Sequence, residues 1–126
     1  MRHLVTAALL IAAVIHLLPL AGVLGPERLA ALYGVDAGEP NIQILMRHRA
    51  VLFGLLGALL AAAAFRPALQ GPAFIGGFAS VLSFLWLAWA VDDFNAPLQR
   101  VVVADLAALV VLLAGAAAWA CARRTG

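Results

Sequence analysis

One stretch decides the fold: NIQILMRHRAVLFGLLGALLAAAAF, residues 41–65. It is long and apolar enough to cross the roughly 30 Å hydrocarbon core of a bilayer. Yet Arg47, His48 and Arg49 stand near its start. A charge at membrane depth costs roughly 2.5–3.5 kcal/mol, so such a residue usually has a partner in the protein. The other segments of the chain are therefore expected to supply these partners.

The composition is that of a membrane protein. Of the 126 residues, 66% are hydrophobic and only 11% are charged, whereas soluble chains carry about 25% charged residues. Four apolar stretches match the thickness of a bilayer, at about 4–24, 41–65, 73–91 and 98–122. The sequence therefore predicts a single all-α domain over residues 1–126. We expect a four-helix transmembrane bundle with a short interfacial helix between helices 1 and 2.

Prolines and glycines mark the breaks in the first half of the chain. The apolar run at 4–24 lacks a convincing small-x-small cleavage site, so it is predicted to be an uncleaved span rather than a signal peptide. Pro19 has no N–H group and is expected to kink or end this helix near residues 15–18. A short helix is predicted over residues 26–34. Its apolar face (Leu29, Leu32, Tyr33) predicts a position on the membrane surface.

The charges predict the orientation in the membrane. The N-terminus, a predicted loop at 66–72 and the C-terminus share one end of the bundle, which carries arginines and no acid (Arg2, Arg66, Arg123, Arg124). The opposite end carries the acids Glu27, Asp36, Glu39, Asp92 and Asp93. Because cytoplasmic loops are enriched in Arg and Lys, both termini are predicted to be cytoplasmic, in a bacterial inner membrane.

The titratable residues within the spans gather in the predicted outer half. The inner half has no charge between its helix ends, which predicts a polar cleft that opens outward above a dry plug of small and aliphatic side chains. Successive helical residues are about 100° apart, so Arg47 and Arg49 point to nearly opposite sides. The candidate ligand-binding residues are His16, Arg47, His48, Arg49, Trp86, Trp89, Asp93, Arg100 and Asp105.

Small-residue stripes indicate which faces pack against other helices. Such stripes contain Arg47 (with Ala50, Gly54, Gly57, Ala61), His16 (with Ala8, Ala12, Ala13) and Asp105 (with Ala108, Leu112, Gly115). We therefore expect Arg47 and Asp105 to form an interior ion pair near His16. Arg49 is expected closer to lipid, reaching toward Asp92, Asp93 or lipid headgroups. An alternative is that the ion pair only fixes the register of the helices.

Most site chemistries are disfavoured by the pattern. The histidines and Asp105 lack metal-ligand spacing, and the neighbouring arginines would repel a cation, so no metal site is predicted. Ser80 and Ser83 have no nucleophile elbow. There is no phosphate-binding loop, and the basic residues are too few for a nucleic-acid surface. The single Cys121 excludes an intramolecular disulfide.

An anionic or amphiphilic ligand suits the cleft better, because guanidinium groups bind carboxylate and phosphate. Trp86 and Trp89 would wall the cleft, or form an ordinary aromatic belt. We predict an integral membrane protein that binds or helps to pass such a molecule. One alternative is a membrane redox subunit that binds haem or quinone through His16 and His48. Another is a structural or assembly subunit of a membrane complex. Self-association through Gly76-Gly77 and enzymatic activity stay open.

The stretch RHRAVLFGLLG at 47–57, together with the four-helix layout and short loops, resembles small bacterial membrane proteins of the DoxX-like type. The resemblance implies a four-helix inner-membrane protein. DoxX-type chains often have an acidic residue in the second helix, where this chain has Arg47 and Arg49. No catalytic residue is therefore carried over from the resemblance.

Overall fold

The computed structural model describes residues 1–126 and contains helices and no strand. The helices are α1 (Arg2–Leu17), α2 (Pro26–Tyr33), α3 (Pro40–Phe65), α4 (Pro67–Val91) and α5 (Ala96–Thr125). A 3₁₀ segment, Leu18–Leu24, continues α1. Four helical stretches are long and apolar enough to cross a membrane: Arg2–Leu24, α3, α4 and α5. The predicted all-α bundle with a short helix after its first span is confirmed.

Helix α1 packs against both α3 and α5, and α4 packs against the same two helices. Helices α1 and α4 therefore lie diagonally opposite each other. The centre of the bundle is an apolar core in which Leu9, Leu60 and Leu112 are fully buried. This layer corresponds to the predicted dry plug.

The predicted small-residue stripes on α1 and α5 are confirmed as packing faces. Ala8, Ala12 and His16 are buried on α1, as are Asp105 and Gly115 on α5. The two helices approach so closely that a Cβ added at Gly115 would lie 2.6 Å from the Cβ of Ala8. Small residues permit this approach because they bring the two backbones together without intervening side chains.

Pro19 ends the first α-helix, as predicted. The α-helix stops at Leu17 and gives way to the 3₁₀ segment, which carries Pro19 in its first turn. Helix α2 ends at Tyr33 and is capped by Gly34, whose φ of +64° is the left-handed conformation that glycine adopts without strain. The chain therefore folds back over one end of the bundle.

The short helix α2 lies where it was predicted, after the first span, but its apolar face packs against the bundle instead of facing lipid. Leu29 and Tyr33 are buried and form a small cluster with Ala37, against which Met46 and Val101 pack. The face is thus covered by the bundle itself.

The predicted loop at 66–72 is also wrong, because α4 already begins at Pro67. Pro67 occupies the first helical position, where its missing N–H costs nothing. Pro72 lies inside the helix, and helices in membrane proteins tolerate such prolines when neighbouring groups satisfy the freed carbonyl. Arg66 alone, in an extended conformation, joins α3 to α4.

Candidate functional site

A cavity of about 250 Å³ lies beneath α2, where α1 ends and α5 begins. Most of its lining residues are apolar, and α4 contributes none of them. The polar and aromatic side chains of the lining are His16, Tyr33, Arg49, Phe53, Arg100 and Asp105. The cavity is therefore an apolar hollow with a few charged groups at one end of the bundle.

Asp105 is the buried acid of this cavity. Its exposed fraction is only 8%, yet no protein group donates a hydrogen bond to its carboxylate and no cation lies within the 4.0 Å limit of an ion pair. Every fully enclosed side-chain oxygen in the structure has a hydrogen-bond partner. The oxygens of Asp105 have none, so they are not fully enclosed. Asp105 therefore opens into the cavity without a partner of its own.

Arg49 is held in place by two aromatic rings. Its Nη1 donates a hydrogen bond to the Tyr33 hydroxyl at 2.8 Å. The guanidinium carbon lies 5.1 Å from the centre of the Tyr33 ring and 4.5 Å from that of Phe53. These contacts orient the cation at the cavity wall. Arg49 and Asp105 both line the cavity, but they form no ion pair.

His16 connects the two diagonal helices. Its Nδ1 lies 2.8 Å from the Ala12 carbonyl oxygen, and its Nε2 lies 3.3 Å from the Ser80 hydroxyl. Because a carbonyl only accepts, Nδ1 must carry the proton and Nε2 accepts from Ser80. The ring also packs against Phe53, at 5.9 Å between centroids. Both ring nitrogens of His16 are therefore occupied by the protein.

The prediction that Arg47 faces the interior and pairs with Asp105 is wrong. Arg47 is exposed, and its Nε donates a hydrogen bond to the Val23 carbonyl at 2.8 Å. The stripe below it does pack inward, since Ala50 and Gly57 are buried. At the level of Arg47, however, the neighbour is the end of the 3₁₀ segment and not α5. Arg49 occupies the interior position instead.

Four other predicted residues lie outside the cavity. His48 and Asp93 are exposed on the surface. Trp86 and Trp89 are 62% and 80% exposed, which fits an aromatic belt better than a binding wall. Arg49 donates to the Tyr33 hydroxyl and forms no ion pair with Asp92 or Asp93.

Of the predicted set, the structure brings together His16, Arg49, Arg100 and Asp105. Sequence reasoning missed Tyr33 and Phe53, which hold Arg49, and rejected Ser80, which bonds to His16. The sequence did offer a signal for Ser80: a buried histidine in one span needs a hydrogen-bond partner, and Ser80 is a hydroxyl residue in another span. No cluster of three or more His, Cys, Asp or Glu side chains is placed to hold a metal ion.

Comparison of the chain with protein-family models, curated proteins and solved structures gives no match. The chemistry of the cavity is therefore the basis for assigning a function.

Proposed function

We propose that this multi-pass membrane protein binds an amphiphilic small molecule whose headgroup, which carries an anionic group and a hydrogen-bond donor, enters the cavity beneath α2. The observation that carries the proposal is the carboxylate of Asp105, buried and without a partner beside two arginines. A buried charge that lacks a partner is costly, by several kcal/mol. A headgroup that donates to Asp105 would remove that cost.

The charges of the cavity indicate what such a headgroup carries. Arg49 and Arg100 outnumber Asp105, so the cavity has an excess of positive charge. Guanidinium groups bind phosphate or carboxylate oxygens, whereas Asp105 requires a donor. A headgroup with an anionic group and an N–H or O–H donor would satisfy both.

The shape of the cavity suits an amphiphile. Its volume of about 250 Å³ lies just below the usual range for small-molecule sites, about 300–1,000 Å³. That space fits a headgroup, while the mostly apolar walls would contact the start of a hydrocarbon tail. Because α4 takes no part in the lining, an amphiphile would enter from the side on which α1, α2 and α5 meet.

The competing functions receive less support. Haem ligation by two histidines would require His16 and His48 to converge, but His16 is occupied at both nitrogens and His48 is exposed. A register-fixing ion pair would require an arginine within ion-pair distance of Asp105, and neither Arg49 nor Arg100 lies that close. We also propose the DoxX-like relationship, a bacterial inner-membrane location and cytoplasmic termini, so that the cavity opens toward the outer side.

The test uses lysophosphatidylethanolamine with a fluorophore on its acyl chain, because its headgroup combines a phosphate with N–H donors. Binding to the purified protein in detergent micelles is measured by fluorescence anisotropy. Asp105→Asn should weaken binding about tenfold or more, as expected for loss of a hydrogen bond to a charged group. The choline analogue, which has no N–H donor, should bind weakly and respond little to this change.

A matched pair of variants locates the anion-binding group. Arg49→Gln should weaken binding, whereas Arg47→Gln, two residues away but outside the cavity, should leave it unchanged. Equal losses in the two variants, or unchanged binding in Asp105→Asn, would overturn the proposal. Circular dichroism accompanies each measurement. If Asp105→Asn unfolds the helices, the residue fixes the register of the bundle instead.

A further inference from the structure

A second cavity lies at the opposite end of the bundle and has no part in the proposed function. It measures about 540 Å³ and is formed by the starts of α1 and α4 and the end of α5. We call it the basal groove. Its charged residues are Arg2 and Arg123, and no acidic residue lines it. Gln70, Pro72 and Trp119 also line it.

One of the two cations is positioned by the core. The Arg123 guanidinium lies over the ring of Trp119, at 4.9 Å from its centre. Trp119 in turn packs against the buried ring of Phe74, with 5.8 Å between centroids. Arg123 is therefore held at the groove by stacking on an anchored aromatic ring.

The groove also contains a hydrogen-bond acceptor without a protein partner. Gln70 is only 8% exposed, and its Nε2 donates to the Ala63 carbonyl at 3.3 Å. That bond fixes the amide orientation and leaves its Oε1 without a donor from the protein. Every fully enclosed side-chain oxygen in the structure has a hydrogen-bond partner, so this oxygen, which has none, is not fully enclosed. Gln70 lines the groove, so the groove offers an acceptor beside two cations.

We propose that the basal groove binds the headgroup of an anionic glycerophospholipid such as phosphatidylglycerol. The phosphate lies between Arg2 and Arg123, since guanidinium groups form strong charge-assisted bonds to phosphate oxygens. A glycerol hydroxyl donates to Oε1 of Gln70. The apolar surface of Trp119 and Pro72 contacts the first part of the acyl chains, as tryptophans do at membrane interfaces.

The test compares two variants of equal charge. Arg2→Gln/Arg123→Gln removes both cations of the groove, and Arg66→Gln/Arg124→Gln removes two arginines from the same end that do not line it. Native mass spectrometry of the full chain in detergent counts bound phosphatidylglycerol during titration. We expect the groove variant to bind at least about tenfold more weakly than the control variant. If only general attraction to a basic surface binds the lipid, the two variants should bind equally weakly, and that result would overturn the proposal.

Two further arms identify the ligand. The unaltered protein should prefer phosphatidylglycerol to phosphatidylmethanol, which has the same charge and no hydroxyl, and Gln70→Leu should abolish that preference. Displacement of the lipid by millimolar glycerol phosphate would show that a soluble phosphate is the occupant and would overturn the lipid assignment. If Gln70→Leu fails to fold, the paired arginine variants still decide the proposal.

Discussion

Replacing Gly115 by alanine should force α1 and α5 apart. The new Cβ would lie 2.6 Å from the Cβ of Ala8 and 3.3 Å from two atoms of the Phe74 ring. Carbon atoms in good contact are about 3.5–4.0 Å apart, so the helices must separate by roughly 1 Å. The Cβ of Ala8 cannot rotate away, because it is bonded directly to the backbone.

The expected loss of stability follows from two opposing terms. Overpacking a close interface costs about 1–3 kcal/mol, while replacing a helical glycine by alanine returns up to about 1 kcal/mol. Because the clash is with a Cβ that cannot rotate away, the overpacking cost should lie in the upper part of its range, about 2–3 kcal/mol, and we expect Gly115→Ala to lower the free energy of unfolding by about 1–2 kcal/mol. The measurement is a reversible titration with sodium dodecyl sulfate in mixed micelles, followed by far-ultraviolet circular dichroism.

Two variants make this prediction specific. Gly71→Ala is the control, because its Cβ would meet only Trp119, at an ordinary 3.7 Å, so stability should not fall. Ala8→Gly combined with Gly115→Ala should restore most of the stability lost in the single variant. A Gly115→Ala protein as stable as the unaltered chain would refute the close approach of α1 and α5, as would failure of Ala8→Gly to rescue it.

Three further outcomes can be measured by unfolding experiments. Gly34→Ala should cost about 1–2 kcal/mol, because φ is +64° and the new Cβ would lie 2.9 Å from the side-chain nitrogen Nδ2 of Asn95. Asn95→Ala should cost about 1–2 kcal/mol, since it removes the cap on the Leu98 N–H and a bond to the Tyr33 carbonyl. Two backbone N–H groups at the start of α3 lower the pKa of Glu39. The stabilisation that these bonds to the Glu39 carboxylate provide is therefore present above the ordinary pKa of glutamate. It is lost as the pH falls through the lower pKa that Glu39 has in the folded protein. Glu39→Gln should reduce the drop in thermal stability below about pH 4.5.

The spans could be predicted because apolar length is a direct physical requirement of a bilayer. The break after Leu17 could be predicted as well, because proline removes a hydrogen-bond donor. The start of α4 could not. The stretch from Pro67 to Pro72 contains the residues typical of a loop, yet both prolines occupy positions where a helix tolerates them. Local composition does not distinguish these two cases; the packing of the first turns of α4 against Trp119 does.

The candidate site shows where sequence reasoning stops. The burial of Asp105 and His16 was predictable, since an ionisable residue in a span usually faces protein. The choice between Arg47 and Arg49 was not. Helical geometry places the two on opposite sides of α3, but the order of the helices around the bundle decides which side faces the cavity. That order depends on contacts between distant segments, which a single sequence does not reveal.

The sealed centre of the bundle favours binding over passage. The cavity beneath α2 and the basal groove lie at opposite ends, and the fully buried Leu9, Leu60 and Leu112 fill the space between them. A charged headgroup that crossed this layer would lose its partners in an apolar medium, at a cost of several kcal/mol. Passage would also require α1 and α5 to separate where Ala8 meets Gly115. The closed centre therefore favours the proposal that the cavity beneath α2 holds an amphiphile over the alternative that the protein passes it across the membrane.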